Sequence, residues 1–392
     1  MSCPSQTEID LSKIEFPGEQ NEIATWELCL KIGVVVLLEL MALIGNVLVI
    51  MIVVQSKKMR TTTNLYIVNL AVADLFMASF PMWIVVVEDV TDTWLLGEFL
   101  CKFNAFLQVT AMCASTFTLL VIAGDRFFAI IYPLNARVTQ RKVSVMVIGI
   151  WLSAIAVGSA PLFTYTYKER TWKNYVERFC TDVWPTYTIQ EKCDYGLTSK
   201  RAFWTMVSVV LNWVPMIVMT ILYTIIILNL RFNRVVPSSG ELSLSALQRR
   251  SKSKVVKMLF SVLIVFMICT VPYQITKLYE LYRENQSDRL PQWYTPFYFT
   301  SIILMYTNTA VNPILYGGFN ENFRNGFKDL INRVLRRQGS HGISLMNGAG
   351  RPRPSIVEEL RMRPYASNLG RAIIDYLFWN DVGRLADGDP RI

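Results

Sequence analysis

Apolar residues along this chain gather into seven long runs, at 28–54, 65–87, 103–124, 143–163, 202–230, 258–276 and 291–320, with short polar segments between them. A helix needs ~20 apolar residues to cross a hydrocarbon core about 30 Å thick, and each run is close to or beyond that length. Charges inside them are scarce: Lys31 and Glu39 in the first, Asp74 in the second and none in the other five. None of the runs alternates over about ten residues as a membrane β-strand does. An open sheet would also leave backbone groups unsatisfied in lipid. The pattern predicts an all-α membrane protein, a seven-transmembrane helix bundle over 28–320 behind a polar tail at 1–27. Beyond it, 321–337 sets Phe323, Phe327, Leu330, Ile331 and Val334 at three- and four-residue steps among basic residues. That is the signature of a short amphipathic helix lying in the membrane interface. Residues 338–392 turn Gly-, Pro- and Arg-rich, a tail expected to be mostly disordered apart from an apolar stretch at 372–379.

Composition agrees with a bundle in lipid. Of 392 residues, 52% are hydrophobic and only 18% charged, which excludes an ordinary soluble enzyme or a disordered chain. The net charge of +9 would suggest nucleic acid in a soluble protein, but here its distribution assigns the faces of the membrane. Lys57, Lys58 and Arg60 follow run one, and Arg126, Arg137, Arg141 and Lys142 follow run three. Seven further basic residues lie between runs five and six, and Arg324, Lys328, Arg333, Arg336 and Arg337 follow run seven. By the positive-inside rule that face is cytoplasmic. The other face is acidic: six acids against Lys13 give residues 1–27 a charge of −5, and 88–102 carry −3. The N-terminus is therefore expected outside, with the first span as its own signal anchor because residues 1–24 show no apolar signal core.

Ionisable groups inside a membrane are costly and point to function. Asp74 stands mid-span, with Asn46, Ser115, Asn308, Thr309 and Asn312 expected at similar depth; such oxygens suit a hard cation such as Na⁺, or a protonated, hydrogen-bonded acid. Pro215, Pro272 and Pro313 each free a backbone carbonyl inside a span and kink it.

Taken in order, Gly45-Asn46, the Asn69–Leu75 segment, Asp125-Arg126-Phe127, Trp151, Pro215 with Tyr223, Phe266 with Cys269 and Pro272, and Asn312-Pro313 through Tyr316 resemble the motifs of a rhodopsin-like G-protein-coupled receptor, over residues 25–337. The resemblance implies that Arg126 meets a heterotrimeric G protein when span six swings outward, and that Asp125 restrains it at rest. Tyr223 and Tyr316 would hold it when active. It also implies that Asp74, Ser115, Asn308 and Asn312 form a sodium site, and that Cys101 bonds to Cys180 in the second extracellular loop. Cys193 could pair with Cys3 or Cys29. Three departures stand out: Thr270 occupies the usual tryptophan position before Pro272, so that either Phe266 carries the switch alone or the trigger differs; Phe127 stands where tyrosine is commoner; and the inner end of span six has no acid to lock Arg126, so Asp125 alone would restrain it and raised basal activity is expected.

For the ligand, run three has no acid to pair an amine, where the family position resembles Gln108, and run seven has no lysine for retinal. The long second loop and the acidic outer face, about −6 in all, favour a basic, amidated neuropeptide steered by charge. A lipid or small polar ligand is the alternative. Gln108, Gln274, Tyr273, Lys277, Trp83, Glu88, Trp293 and Tyr298 are the expected pocket positions, and the chain is similar to tachykinin, neuropeptide Y, neuropeptide FF and somatostatin or allatostatin-C-like receptors. Asn285 opens the outward glycosylation sequon. Tail serines Ser340, Ser344, Ser355 and Ser367 signal arrestin only weakly. A transporter would show repeats in two halves, and an enzyme is disfavoured because the one histidine, His341, lies in the tail. The expected location is the plasma membrane, with no cofactor beyond allosteric Na⁺.

Overall fold

The computed structural model describes residues 11–16, 24–91, 93–132, 140–185, 188–189, 192–193, 196–232, 242–283 and 290–344. Asn285, Cys3, Ser355, Ser367 and the 372–379 stretch lie outside the described residues, as do the side chains of Cys193, Ser340 and Ser344. Helices α1 (Thr25–Gln55), α2 (Thr62–Ser79), α3 (Pro81–Thr91), α4 (Gly97–Ile131) and α5 (Gln140–Thr164) lead to a hairpin of β1 (Tyr165–Thr171) and β2 (Val176–Asp182). A two-residue pair, β3 (Thr188–Ile189) and β4 (Lys192–Cys193), follows, then α6 (Leu197–Thr205), α7 (Val214–Phe232), α8 (Leu242–Tyr282), α9 (Tyr294–Phe319) and α10 (Glu321–Ser344). Six stretches pass both length and hydropathy for a membrane crossing. The seventh span is α9, 26 residues long, whose threonines, tyrosines and asparagines lower its hydropathy; it packs on α8 and α1 to complete the bundle.

Three spans differ from the simple runs. Span two breaks at Phe80, which leaves the helical region (φ −126°, ψ −49°), because Pro81 lacks an N–H and crowds the residue before it. Span five passes through a π-helical stretch, Met206–Trp213, just ahead of Pro215, where the ring withdraws a donor from the turn below. Span six continues inward to Leu242, since 242–257 is rich in Leu, Ser, Gln, Lys and Arg, most of them good helix formers. The helix after the last span likewise runs to Ser344 rather than ending at 337.

Lipid tails are as apolar as leucine, so helices here associate through close packing and interhelical hydrogen bonds. Gly45 lets span one approach span seven: a Cβ there would lie 2.8 Å from Pro313 Cγ. Beside it Asn46 Nδ2 donates to the Thr309 carbonyl at 3.1 Å. Thr116 donates to Asn212 Oδ1 at 3.2 Å, joining spans three and five. The inner half packs round Tyr66, Phe266, Tyr316 and Phe323, and the outer half round Met82, Tyr273 and Tyr306.

Candidate functional site

On the outer face, β-branched and aromatic residues favour strands in the second loop. Register sets Glu169 opposite Arg178 and Arg170 opposite Glu177, and both opposed pairs form ion bridges, at 3.1 and 3.3 Å. Cys180 bonds to Cys101 at the head of span three, under a small cluster of Ile84, Trp94, Trp83 and Tyr165. Cys29 is a free, exposed thiol, while Cys113 and Cys269 are free and buried. The N-terminal segment reaches this hairpin too. Phe16 lies against Trp172 and Tyr175, with ring centroids 5.5 and 4.8 Å away, and its N–H donates to Asn174 Oδ1 at 2.8 Å.

Below the hairpin, the predicted pocket residues mostly converge. Gln108 Nε2 donates to the Tyr306 hydroxyl at 3.4 Å, and Tyr306 donates to the Pro81 carbonyl at 2.8 Å. Gln274 is buried, its amide 3.4 Å from Met112 Sδ. Lys277 stands 5.0 Å from the Tyr298 ring centre and 5.8 Å from that of Tyr273, and 3.6 Å from Glu280, a cation held by π faces and an acid. Glu280 in turn accepts from the Tyr294 hydroxyl at 3.2 Å. Trp83 is the exception. Its indole donates to the Ser79 carbonyl at 3.1 Å and its ring packs in the cluster around Trp94 and Cys101. Trp293 stays exposed beside Tyr279.

Asp182, at the end of β2, was not singled out by sequence. Its carboxylate accepts from Lys200 at 2.8 Å, Trp184 at 2.8 Å and Trp204 at 3.3 Å. Burial pushes its pKa up, but the Lys200 charge and these three donors outweigh burial and hold it below the ordinary value. Glu280, Tyr306, Lys200 and Trp204 were also missed. Only Glu280, one turn beyond Lys277, had a sequence signal. Glu88 differs from the other acids here: it is exposed to the mouth, it faces Lys277 at a distance, and among the described residues it forms no ion pair or hydrogen bond.

Midway down, Asp74 is 2% exposed and accepts from Asn312 Nδ2 at 2.8 Å, with the Thr309 hydroxyl beside it. The amide oxygens of Asn46, Asn308 and Asn312 have no hydrogen-bond partner among the described residues. Buried acceptors left so cost about 1–3 kcal/mol each, and carboxylate and amide oxygens are the donors a hard cation such as Na⁺ takes. Ser115, the other residue expected at this depth, is buried as well.

At the inner end Arg126 is bridged to its neighbour Asp125, with one contact at 3.0 Å from Nε. Tyr223 and Tyr66 both lie close enough to feel these charges; Tyr66 was not anticipated. The buried Tyr316 hydroxyl has no partner among the described residues, and its ring lies 5.8 Å from Phe323. Phe266 is fully buried beneath Pro272, while Thr270 turns back to donate to the Phe266 carbonyl at 2.7 Å. Apart from these polar clusters, an apolar groove of about 620 Å³ runs between spans one to four, lined by Val54, Leu65, Phe106, Val147 and Trp151 among others.

Residues 45–316 match the family model described as 7 transmembrane receptor (rhodopsin family). Over 313 residues the chain is 31% identical to the substance-P receptor of Mus musculus, covering 79% of this chain and 73% of that one. It is 27% identical to neuropeptide FF receptor 2 of Mus musculus over 332 residues, 82% and 76% of the two chains. It is 30% identical to the QRFP-like peptide receptor of Branchiostoma floridae over 315 residues, 77% and 78% of the two.

Proposed function

The chain belongs to the rhodopsin family of seven-transmembrane receptors, and from that premise we propose that it is a cell-surface receptor for a basic, amidated neuropeptide. Members of the family are multi-pass membrane receptors, not enzymes, that take a ligand and act on a heterotrimeric G protein. The similar receptors carry peptide names, which supports a peptide ligand here.

Glu88 carries the proposal. Lys277 is already matched by Glu280 and Asp182 by Lys200, whereas Glu88 faces the mouth without a counter-ion of its own. An arginine or ammonium of the ligand completes it, and the acidic outer segments raise the local concentration of such a ligand. Gln108 and Gln274, neutral donors and acceptors deeper in the bundle, suit an uncharged C-terminal amide, with Tyr273, Tyr298 and Lys277 forming the wall beside it.

A ligand shifts the balance of states only by its difference in affinity for them. On this reading the peptide binds the active arrangement better, spans five and six move about Pro215 and Pro272, and Phe266 repacks. Arg126 then leaves Asp125 for Tyr223 and Tyr316, and the G protein enters the cleft. Asp74, Asn308 and Asn312 hold Na⁺ in the resting arrangement.

The test is a cellular signalling assay with amidated basic peptides on wild type and Glu88→Gln. Hydrogen bonds to charged groups contribute about 1.5–3 kcal/mol, so the variant raises the EC50 of the active peptide about 10- to 150-fold. It leaves the EC50 of that peptide's arginine-to-citrulline analogue nearly unchanged. Equal shifts for both peptides would sink the assignment.

A further inference from the structure

The inner end of span six makes its ion pair with Glu321, away from Arg126. Lys254, on the cytoplasmic extension of α8, places Nζ 2.5 Å from Glu321 Oε1, 67 residues further along the chain. Glu321 opens α10, and α10 is seated as a fixed platform. Asn320 Oδ1 accepts from the Asn322 N–H at 3.0 Å, and the Arg324 N–H reaches the Asn320 carbonyl at 2.9 Å. Phe323 is fully buried against Tyr316. Gly326 sits so close to span one that a Cβ there would stand 2.5 Å from Ile52 Cγ2. Glu321 is thus anchored to spans one and seven, whereas Lys254 travels with span six.

We propose that the Lys254–Glu321 pair is a resting-state latch, holding the inner end of span six against the corner of span seven and α10. It takes the place of a carboxylate contact from span six to Arg126, for which the described side chains at that end of the helix supply no acid. The proposal rests on the reading that span six swings outward to admit a G protein, a motion that parts the two residues. Both side chains are more than half exposed, 52% and 59%, so the latch is light and salt-sensitive. Exposed pairs of this kind shift a two-state balance by up to about fivefold. Glu321 also lies in the first turn of α10, where an acid favours the helix dipole, so Lys254 is the cleaner position to change.

The experiment uses the full chain at matched surface expression without ligand. Lys254→Glu raises basal G-protein signalling up to about fivefold, and Lys254→Glu with Glu321→Lys returns it to the wild-type level. In parallel, nitroxides at Lys257→Cys and Arg324→Cys, in a Cys29→Ser background, report the separation of span six from α10 by pulsed electron resonance. Lys254→Glu shifts population to longer distances, and the double reversal shifts it back. Unchanged distances, or a double reversal that behaves like the single change, would overturn the latch. Restored distances with no signalling from any variant would leave the latch standing and overturn the signalling reading instead.

Discussion

One amide ties three spans together and gives the packing account a measurable consequence. Asn69 in span two accepts from Trp151 Nε1 of span four at 2.8 Å and donates to Thr118 Oγ1 of span three at 2.7 Å. Thr118 keeps its own donor bond to the Ala114 carbonyl at 2.6 Å, so losing Asn69 strands chiefly the indole N–H. Interhelical bonds in membranes average about 0.6 kcal/mol and reach about 1.7, and a stranded donor costs about 1–3 kcal/mol. Asn69→Ala should therefore destabilise the bundle by about 2–4 kcal/mol. A cycle with Trp151→Phe should show a coupling of about 0.6–1.7 kcal/mol, because the double variant loses their shared bond only once. Equilibrium unfolding of purified protein in mixed micelles containing SDS measures all four corners. Additivity within about 0.3 kcal/mol would refute the claim that this bond helps hold the bundle.

Further outcomes follow from the outer loop and the span-two carboxylate. Phe16→Ala removes two ring contacts worth about 0.5–1.5 kcal/mol each, so amide exchange at 172–175 should quicken several-fold while the 180–182 segment near the disulfide holds. Asp182 has a folded pKa below its ordinary 3.8, so its contribution is complete above that value and is lost as pH falls through the lowered one. Protection factors for amide exchange around 180–184 should thus be steady from neutral pH down to about 5 and fall below 3.8, whereas Asp182→Asn is less protected at neutral pH and loses this pH dependence. At a sodium concentration tenfold above its Kd, binding adds about 1.4 kcal/mol. NaCl should then raise the Tm relative to choline chloride in wild type but not in Asp74→Asn.

The spans were legible because a membrane crossing demands ~20 apolar residues in a row, a requirement that no tertiary contact can override. The break at Phe80 is also written locally, in Pro81, but the apolar run continues through it and masks it. Asp74 and Asn312 were legible as polar residues at matching depth. The pairs Lys254–Glu321, Asp182–Lys200 and Phe16–Trp172 join segments whose own patterns reveal nothing of one another. Only packing brings them together. The depth of Lys277 suggests a pocket residue, but its neutralisation by Glu280, which leaves Glu88 as the open acid, is visible only in the packed structure.

The most direct measurement is nucleotide exchange on a purified heterotrimeric G protein by this chain in lipid nanodiscs, with a panel of amidated basic peptides, amines and lipids outside. The account predicts that one peptide family accelerates exchange, that Arg126→Ala abolishes the effect with peptide binding retained, and that Glu88→Gln weakens it. Exchange driven by a lipid or amine and by no peptide, or full activity in Arg126→Ala, would contradict it.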